Sequence, residues 1–274
     1  MFLAPGTKVS YSRLSSAADK ALASGDNWGP LHGVPMTIKE SFNVEGMPTT
    51  WGLTRYQNNY ATKNAIVVER LLNSGAVAFG KTNVPRYLAD WQTFNQIYGT
   101  TNNPRDVALV PGGSSGGSAA ALAAGLTGLE VGSGIGASIR NPAHYCGVYG
   151  HKPTFGIVSG QGQALPGMVA EPDIALLGPL ARSADDLAIA LDVMAGPDDI
   201  DQTGWQVRLP KPEKKKLSDF RIAVIYTDPE AEVDDEVQYS IQNLVAFLVK
   251  NKVKVSENAR PKIESREAHR NYTS

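Results

Sequence analysis

The chain has 274 residues, of which 42% are hydrophobic, 19% charged and 8% aromatic, a balance that excludes a disordered chain, a collagen and a disulfide-built miniprotein. Lys and Arg number 26 against 27 Asp and Glu, a formal charge of -1, so no global field draws the protein to nucleic acid or to an anionic membrane, and a small or neutral partner is expected. The one cysteine, Cys146, cannot close an internal disulfide; the Met1–Pro5 apolar stub is too short for a secretory leader, and Ala119–Leu126 falls far short of the ~20 apolar residues of a bilayer span. A soluble, cytoplasmic protein is the expectation, and the length allows one large domain or two small ones.

In chain order, residues 15–24 read as a short helix closed by Gly25, and Gly33–Ile38 as a strand. Lys63–Asn73 has apolar residues at helical spacing, and Ala76–Phe79 is a short strand-like run after Ser74-Gly75. Ser118–Leu126 is Ala-rich and helix-prone, with Ser118 as an N-cap, and Leu129–Val131 is a brief strand. Ser183 opens a helix over Ala184–Met194 that Gly196-Pro197 ends. Arg221–Tyr226 reads as a strand, Val237–Val249 as an amphipathic helix, and Val253–Val255 as a last strand. This alternation predicts an α/β fold with a largely parallel sheet. Residues 198–216 form a polar connection with a solvated Lys214–Lys216 run, and 259–274 lacks apolar periodicity and is expected to fray.

Glycine is the unusual count, at 27, and it crowds into 112–117 and 125–136. Glycine gathers where backbone approaches something closely or takes positive φ, which makes these segments the place to look for function. Gly112–Gly116 satisfies the G-x-S-x-G nucleophile elbow, but that reading needs an acid and then a His downstream, and only His269 leaves room for the acid. Gly132–Ala137 matches the G-x-G-x-x-[GA] dinucleotide fingerprint. Its context fails, because Asn141-Pro142 interrupts the helix that should follow and Phe155–Gln161 holds no acid for a ribose. A phosphate loop is excluded, since no Lys follows the glycines. His144, Cys146 and His151 are metal ligands by type, but their spacing matches no zinc pattern, so neither metal nor cofactor is expected.

The third reading takes three segments together. GVPMTIKESFNVEGMPTT at 33–50, PGGSSGGSAAALAAG at 111–125 and GSGIGASIRNPAHYCGVYGHKPTFG at 132–156 resemble the amidase signature family, in its order and spacing, over about residues 29–196. The resemblance implies one amidase-signature-like domain over 1–274, with a mixed, largely parallel central sheet flanked by helices and incomplete at its C-terminus. It further implies hydrolysis of a carboxylic acid amide, with a small-molecule amide as substrate and a second copy as a candidate partner covering the open sheet edge. Lys39 occupies the place of the family's catalytic lysine, Ser114 that of the serine held after a cis peptide bond, and Ser138, 24 residues on, that of the nucleophile. The oxyanion donors are then the N–H groups of Ile135, Gly136, Ala137 and Ser138, with Gly113, Ser115 and Arg140 as substrate-side candidates.

The chemistry suits these residues. A serine hydroxyl attacks only if its proton can leave in concert, and a lysine accepts that proton only if burial lowers its pKa well below the ~10.4 of a free side chain. One hydroxyl can donate and accept at once, which suits Ser114 to the middle of a relay from Ser138 to Lys39. The chain departs from the usual G-[ST]-D-[IT]-G-G-S-I-R: Gly134 replaces an acid and Ala137 a glycine. The departures and the short chain raise two alternatives, an impaired amidase-like domain that binds without turnover and an amidotransferase A-type subunit.

Overall fold

The computed structural model describes residues 7–168, 170 and 172–273; the Met1–Pro5 stub lies outside them. Where the motifs lead to one domain, the chain divides into two compact units, residues 1–208 and 209–274. The division falls inside the polar 198–216 connection, whose Asp, Lys and Pro residues have little apolar surface to bury.

The first unit begins with α1 (Thr7–Ala23) and continues through β1 (Pro35–Lys39), α2 (Ile66–Asn73) and β2 (Val77–Thr82). A small hairpin of β3 (Phe94–Asn95) and β4 (Gly99–Thr100) follows. Then come α3 (Gly116–Ala123), β5 (Leu129–Gly134), α4 (Arg140–Cys146), β6 (Tyr149–Gly150), β7 (Leu176–Ala181) and α5 (Ala184–Met194). The main sheet has the order β2-β1-β5-β7-β6. β1 lies parallel to β2 and β5, and β7 is antiparallel to both β5 and β6. Four of the five strands therefore run one way, and the sheet is mixed but mostly parallel.

Side-chain alternation along β1 sorts the two faces of the sheet. Met36 and Ile38 join Leu129 and Val131 of β5 in a core closed by Val67, Val68 and Leu71 of α2 and by Ala190 and Met194 of α5. The other face packs Leu180 of β7 against Ala119, Ala120 and Leu122 of α3 and Ile139, Ala143 and Cys146 of α4. Thr37 and Lys39 alternate with Met36 and Ile38 and turn away from the first core. Both are fully buried. Lys39 and Gly134 end adjacent parallel strands, so the carboxyl ends of β1 and β5 open where α/β sheets place their ligands.

Three local expectations change. Pro142 does not break the chain after Gly136: it is the third residue of α4, in a first turn whose N–H groups have no intrahelical partner to lose. Ser118 does not cap α3, which starts two residues earlier behind Ser115; its hydroxyl instead meets Thr82 Oγ1 at 2.9 Å in the buried interior. β7 stands where the sequence shows no strand pattern, because Gly178 and Pro179 interrupt its apolar run.

In the second unit β8 (Arg221–Ala223) and β9 (Lys254–Ser256) pair in parallel, joined through α6 (Asp235–Lys250). Asp234 caps α6 by accepting from Glu236 N at 2.9 Å. The tail expected to fray contains α7 (Ser265–Thr273). Its first turn is tied by Ser265 Oγ to Asp228 Oδ2 at 2.6 Å and by Arg266 to Glu230 at 2.7 Å. Among the described residues no helix is long and apolar enough to cross a membrane.

Candidate active site

The three segments singled out by their glycines and by Lys39 meet at the carboxyl ends of β1 and β5. Lys39, the last residue of β1, is fully buried. Its Nζ donates to Ser114 Oγ at 2.7 Å and to Ser133 O and Oγ, both at 3.0 Å. Burial holds its pKa well below the usual lysine range, at about 7, against the opposing pull of Glu130 and Glu40.

Ser114 follows a cis peptide bond from Gly113 and is 2% exposed. Glycine is required around it by close approach: a Cβ on Gly117 would lie 2.4 Å from Asn83 N, and one on Gly113 2.3 Å from Asp90 O. Ser138 sits in the turn between β5 and α4, and its carbonyl accepts from Ser115 N at 3.2 Å, which ties this turn to the serine loop. Among the described residues no hydrogen bond joins Ser138 Oγ to Ser114 Oγ. The N–H groups of Ile135, Gly136, Ala137 and Ser138 likewise make none there, and remain available as donors. Ala137 holds φ +74°, in the left-handed region. A shallow depression over the turn is lined by Ile135, Ala137, Ser138, Arg140, Lys152 and Leu176.

The substrate-side candidates divide. Arg140 is exposed at the start of α4 and lines the depression. Gly113 N instead donates to Asn141 Oδ1 at 3.1 Å and Ser115 Oγ to Ser133 O at 3.3 Å, so both groups are engaged within the protein. Cys146 is buried against Pro111 O at 3.4 Å, and burial pushes its thiol up to about 11. Among the described residues no three His, Cys, Asp or Glu side chains gather as a metal site would require.

Several polar residues around Lys39 carry no sequence signal of their own. Ser133 supplies two of the three acceptors to Lys39, and Gln163 Nε2 donates to its hydroxyl and, at 3.3 Å, to Ser41 Oγ. Behind Lys39, Glu40 accepts from Thr50 N and Oγ1, both at 2.6 Å, and from Trp51 N at 2.9 Å. The buried Lys81 ammonium bonds Pro48 O at 2.6 Å and Thr49 Oγ1 at 3.1 Å, and burial lowers its pKa to about 8. A run of buried polar residues at a strand end, TIKES over 37–41, is the one trace of this network in the sequence.

A buried lysine bonded to a serine beside free backbone donors is an arrangement that can serve serine-hydrolase chemistry. Similarity to known proteins narrows the class. The Amidase family model matches residues 9–273, and the chain belongs to the amidase signature family. It is 37% identical over 249 residues to the A-type subunit of the glutamyl-tRNA(Gln) amidotransferase from Picosynechococcus sp., covering 88% of this chain and 50% of that protein. The solved fatty acid amide hydrolase aligns with a TM-score of 0.81 at 30% identity, over 89% of this chain and 43% of that one. The native peptide amidase from Stenotrophomonas maltophilia aligns with a TM-score of 0.75 at 28% identity, over 93% and 52%. The chain thus spans about half the length of the curated relatives it matches.

Proposed function

We propose that this chain carries the catalytic centre of an amidase that hydrolyses a carboxylic acid amide to acid and amine through an acyl-enzyme on Ser138. The 2.7 Å contact between the buried Lys39 Nζ and Ser114 Oγ carries the reading. A neutral lysine has two N–H hydrogens and one lone pair. Ser133 O and Oγ, each at 3.0 Å, accept the two hydrogens, and the lone pair then faces Ser114, whose O–H donates to it. As Ser138 Oγ bonds the amide carbon, its proton passes to Ser114 Oγ and the proton of Ser114 to Lys39. The same path returns a proton to the leaving nitrogen, and water then releases the acid. The unpaired N–H groups of the 135–138 turn stabilise the negative oxygen that develops.

The test is amide turnover by the chain and by its Lys39→Met variant, which removes the base and keeps the apolar bulk. A loss of about 10²–10⁴-fold is expected of a general base; undiminished turnover would overturn the assignment.

A second reading, an amidotransferase A-type subunit, is favoured by the names of the relatives at 37–38% identity. It predicts that amide turnover appears only with a partner protein bound. Gly134 favours a third, an impaired domain that binds amides without turnover, and steady hydrolysis by the purified chain excludes it.

A further inference from the structure

Beneath Lys39 lies a buried carboxyl that the proposed mechanism does not use. Glu130 of β5 is 1% exposed and pairs in register with Thr37, two residues before Lys39 on the same face of β1. Thr37 Oγ1 donates to Glu130 Oε1 at 2.5 Å. Glu130 Oε2 is buried with no hydrogen-bond partner among the described residues. The Thr82 and Ser118 hydroxyls, bonded to each other at 2.9 Å, lie close by. Thr82 is itself the register partner of Lys39 on β2, so the carboxyl, three hydroxyls and the lysine share one buried layer between the sheet and α3.

Sheet packing does not call for this arrangement. A carboxylate with an orphaned oxygen in a dry interior is costly, and leucine or valine would fill a strand position facing α3 without that cost. A carboxyl kept there acts on the charge that shares its layer, Lys39. We propose that Glu130 is a positioning residue for the reaction, a buried carboxyl whose charge holds the proton on Lys39 and so sets the pH at which the lysine becomes a base. The inference rests on the reading of Lys39 as the base.

The charged groups around Lys39 are consistent with that role. Glu130 is the largest of the influences that favour the lysine's proton, followed by Glu40 on the residue after β1. On β2, Lys81 turns its charge to Glu40, which accepts three hydrogen bonds from Thr50 and Trp51. Glu40 is thus held by partners of its own, while Glu130 has Thr37 at 2.5 Å and the Thr82 and Ser118 hydroxyls beside it. Burial raises the Glu130 pKa to about 7.

The experiment is an NMR titration of the Lys39 side-chain amine, using 13C- and 15N-labelled lysine in the full chain, with Lys39→Met to assign the signal. In Glu130→Gln the midpoint should move about one pH unit lower, and in Thr37→Val, which removes the closest donor to the carboxyl and so leaves it less often ionised, it should move the same way by less. An exposed control, Glu45→Gln, should leave it in place. Midpoints unchanged in both folded variants would overturn the proposal, and Thr37→Val decides it alone if Glu130→Gln does not fold. Labelling of Ser138 by a fluorophosphonate in Lys39→Met keeps the two readings apart. Labelling as fast as in the parent chain overturns Lys39 as the base whatever the titration shows, while slow labelling with unmoved midpoints overturns the role of Glu130 alone.

Discussion

Lys39 Nζ stands 2.7 Å from Ser114 Oγ, with the lysine fully buried and the serine 2% exposed. A charged ammonium at such a place lacks water, and the neighbouring hydroxyls and carbonyl compensate only in part, so the site favours the neutral amine.

That preference has a sign that stability measurements can read. The folded chain releases the Lys39 proton at about 7, against 10.5 for the free side chain. Between these limits the unfolded chain holds the extra proton, so the contribution of Lys39 to stability rises with pH from about 7 to about 10.5. Lys81, lowered to about 8 by the same cause, acts in the same direction. Lys39→Met should therefore be more stable than the parent chain in urea unfolding, by a margin that is constant below about pH 7 and shrinks as pH rises toward about 10. A margin independent of pH across this range would show that Lys39 is not desolvated. The acylation rate of the parent chain should climb around pH 7, as the neutral amine forms, and level off above it.

Ala137 sits at φ +74°, where a Cβ costs about 1–2 kcal/mol. Glycine removes this strain but gives back about 0.5–1 kcal/mol through the freedom it adds to the unfolded chain. Ala137→Gly should therefore stabilise the protein by roughly 0.5–1 kcal/mol, measured as a higher urea midpoint with an unchanged slope. A lower midpoint would mean that the methyl group contributes packing that outweighs the backbone strain.

Gly134 departs from the family pattern at a position where a side chain would fit tightly. It has no positive φ, and a Cβ there would lie 3.2 Å from Ser138 N and 3.4 Å from Ile139 N. A carboxylate at this point can bond a backbone N–H of the turn, stiffening it, and adds an anion near Lys39. Gly134→Asp should raise the limiting acylation rate at high pH by about tenfold, or ~1.4 kcal/mol of barrier, while moving the acid limb of the rate profile to higher pH. A slower rate at every pH would show that the turn is built around glycine.

The fold is legible in the sequence where the apolar pattern is clean. The helix over Ala184–Met194 stands where Ser183 and the Gly196-Pro197 stop place it, and its cap accepts from Asp186 N. α4 and β7 are hidden by prolines whose effect depends on place: Pro142 occupies a first helical turn, and Pro179 lies in a strand flanked by two others. At the site, the motifs are enough to bring Lys39 and Ser114 together. Ser133 and Gln163 are out of reach, because their roles depend on which loop closes over the strand end, and residues 160–163 have no periodicity to reveal that. Glu130 reads in the sequence as a polar residue within a short strand, and only the register with Thr37 places it in the layer with Lys39.

The most direct measurement is the site of covalent capture. The chain is treated with a fluorophosphonate at about pH 9, where the lysine is neutral, then digested, and the adduct is mapped by mass spectrometry in the parent, Ser138→Ala and Ser114→Ala proteins. The account predicts one adduct, on Ser138, absent from Ser138→Ala and formed far more slowly in Ser114→Ala. An adduct on Ser114 or Ser115, or equal labelling of the parent and Ser138→Ala proteins, would contradict it.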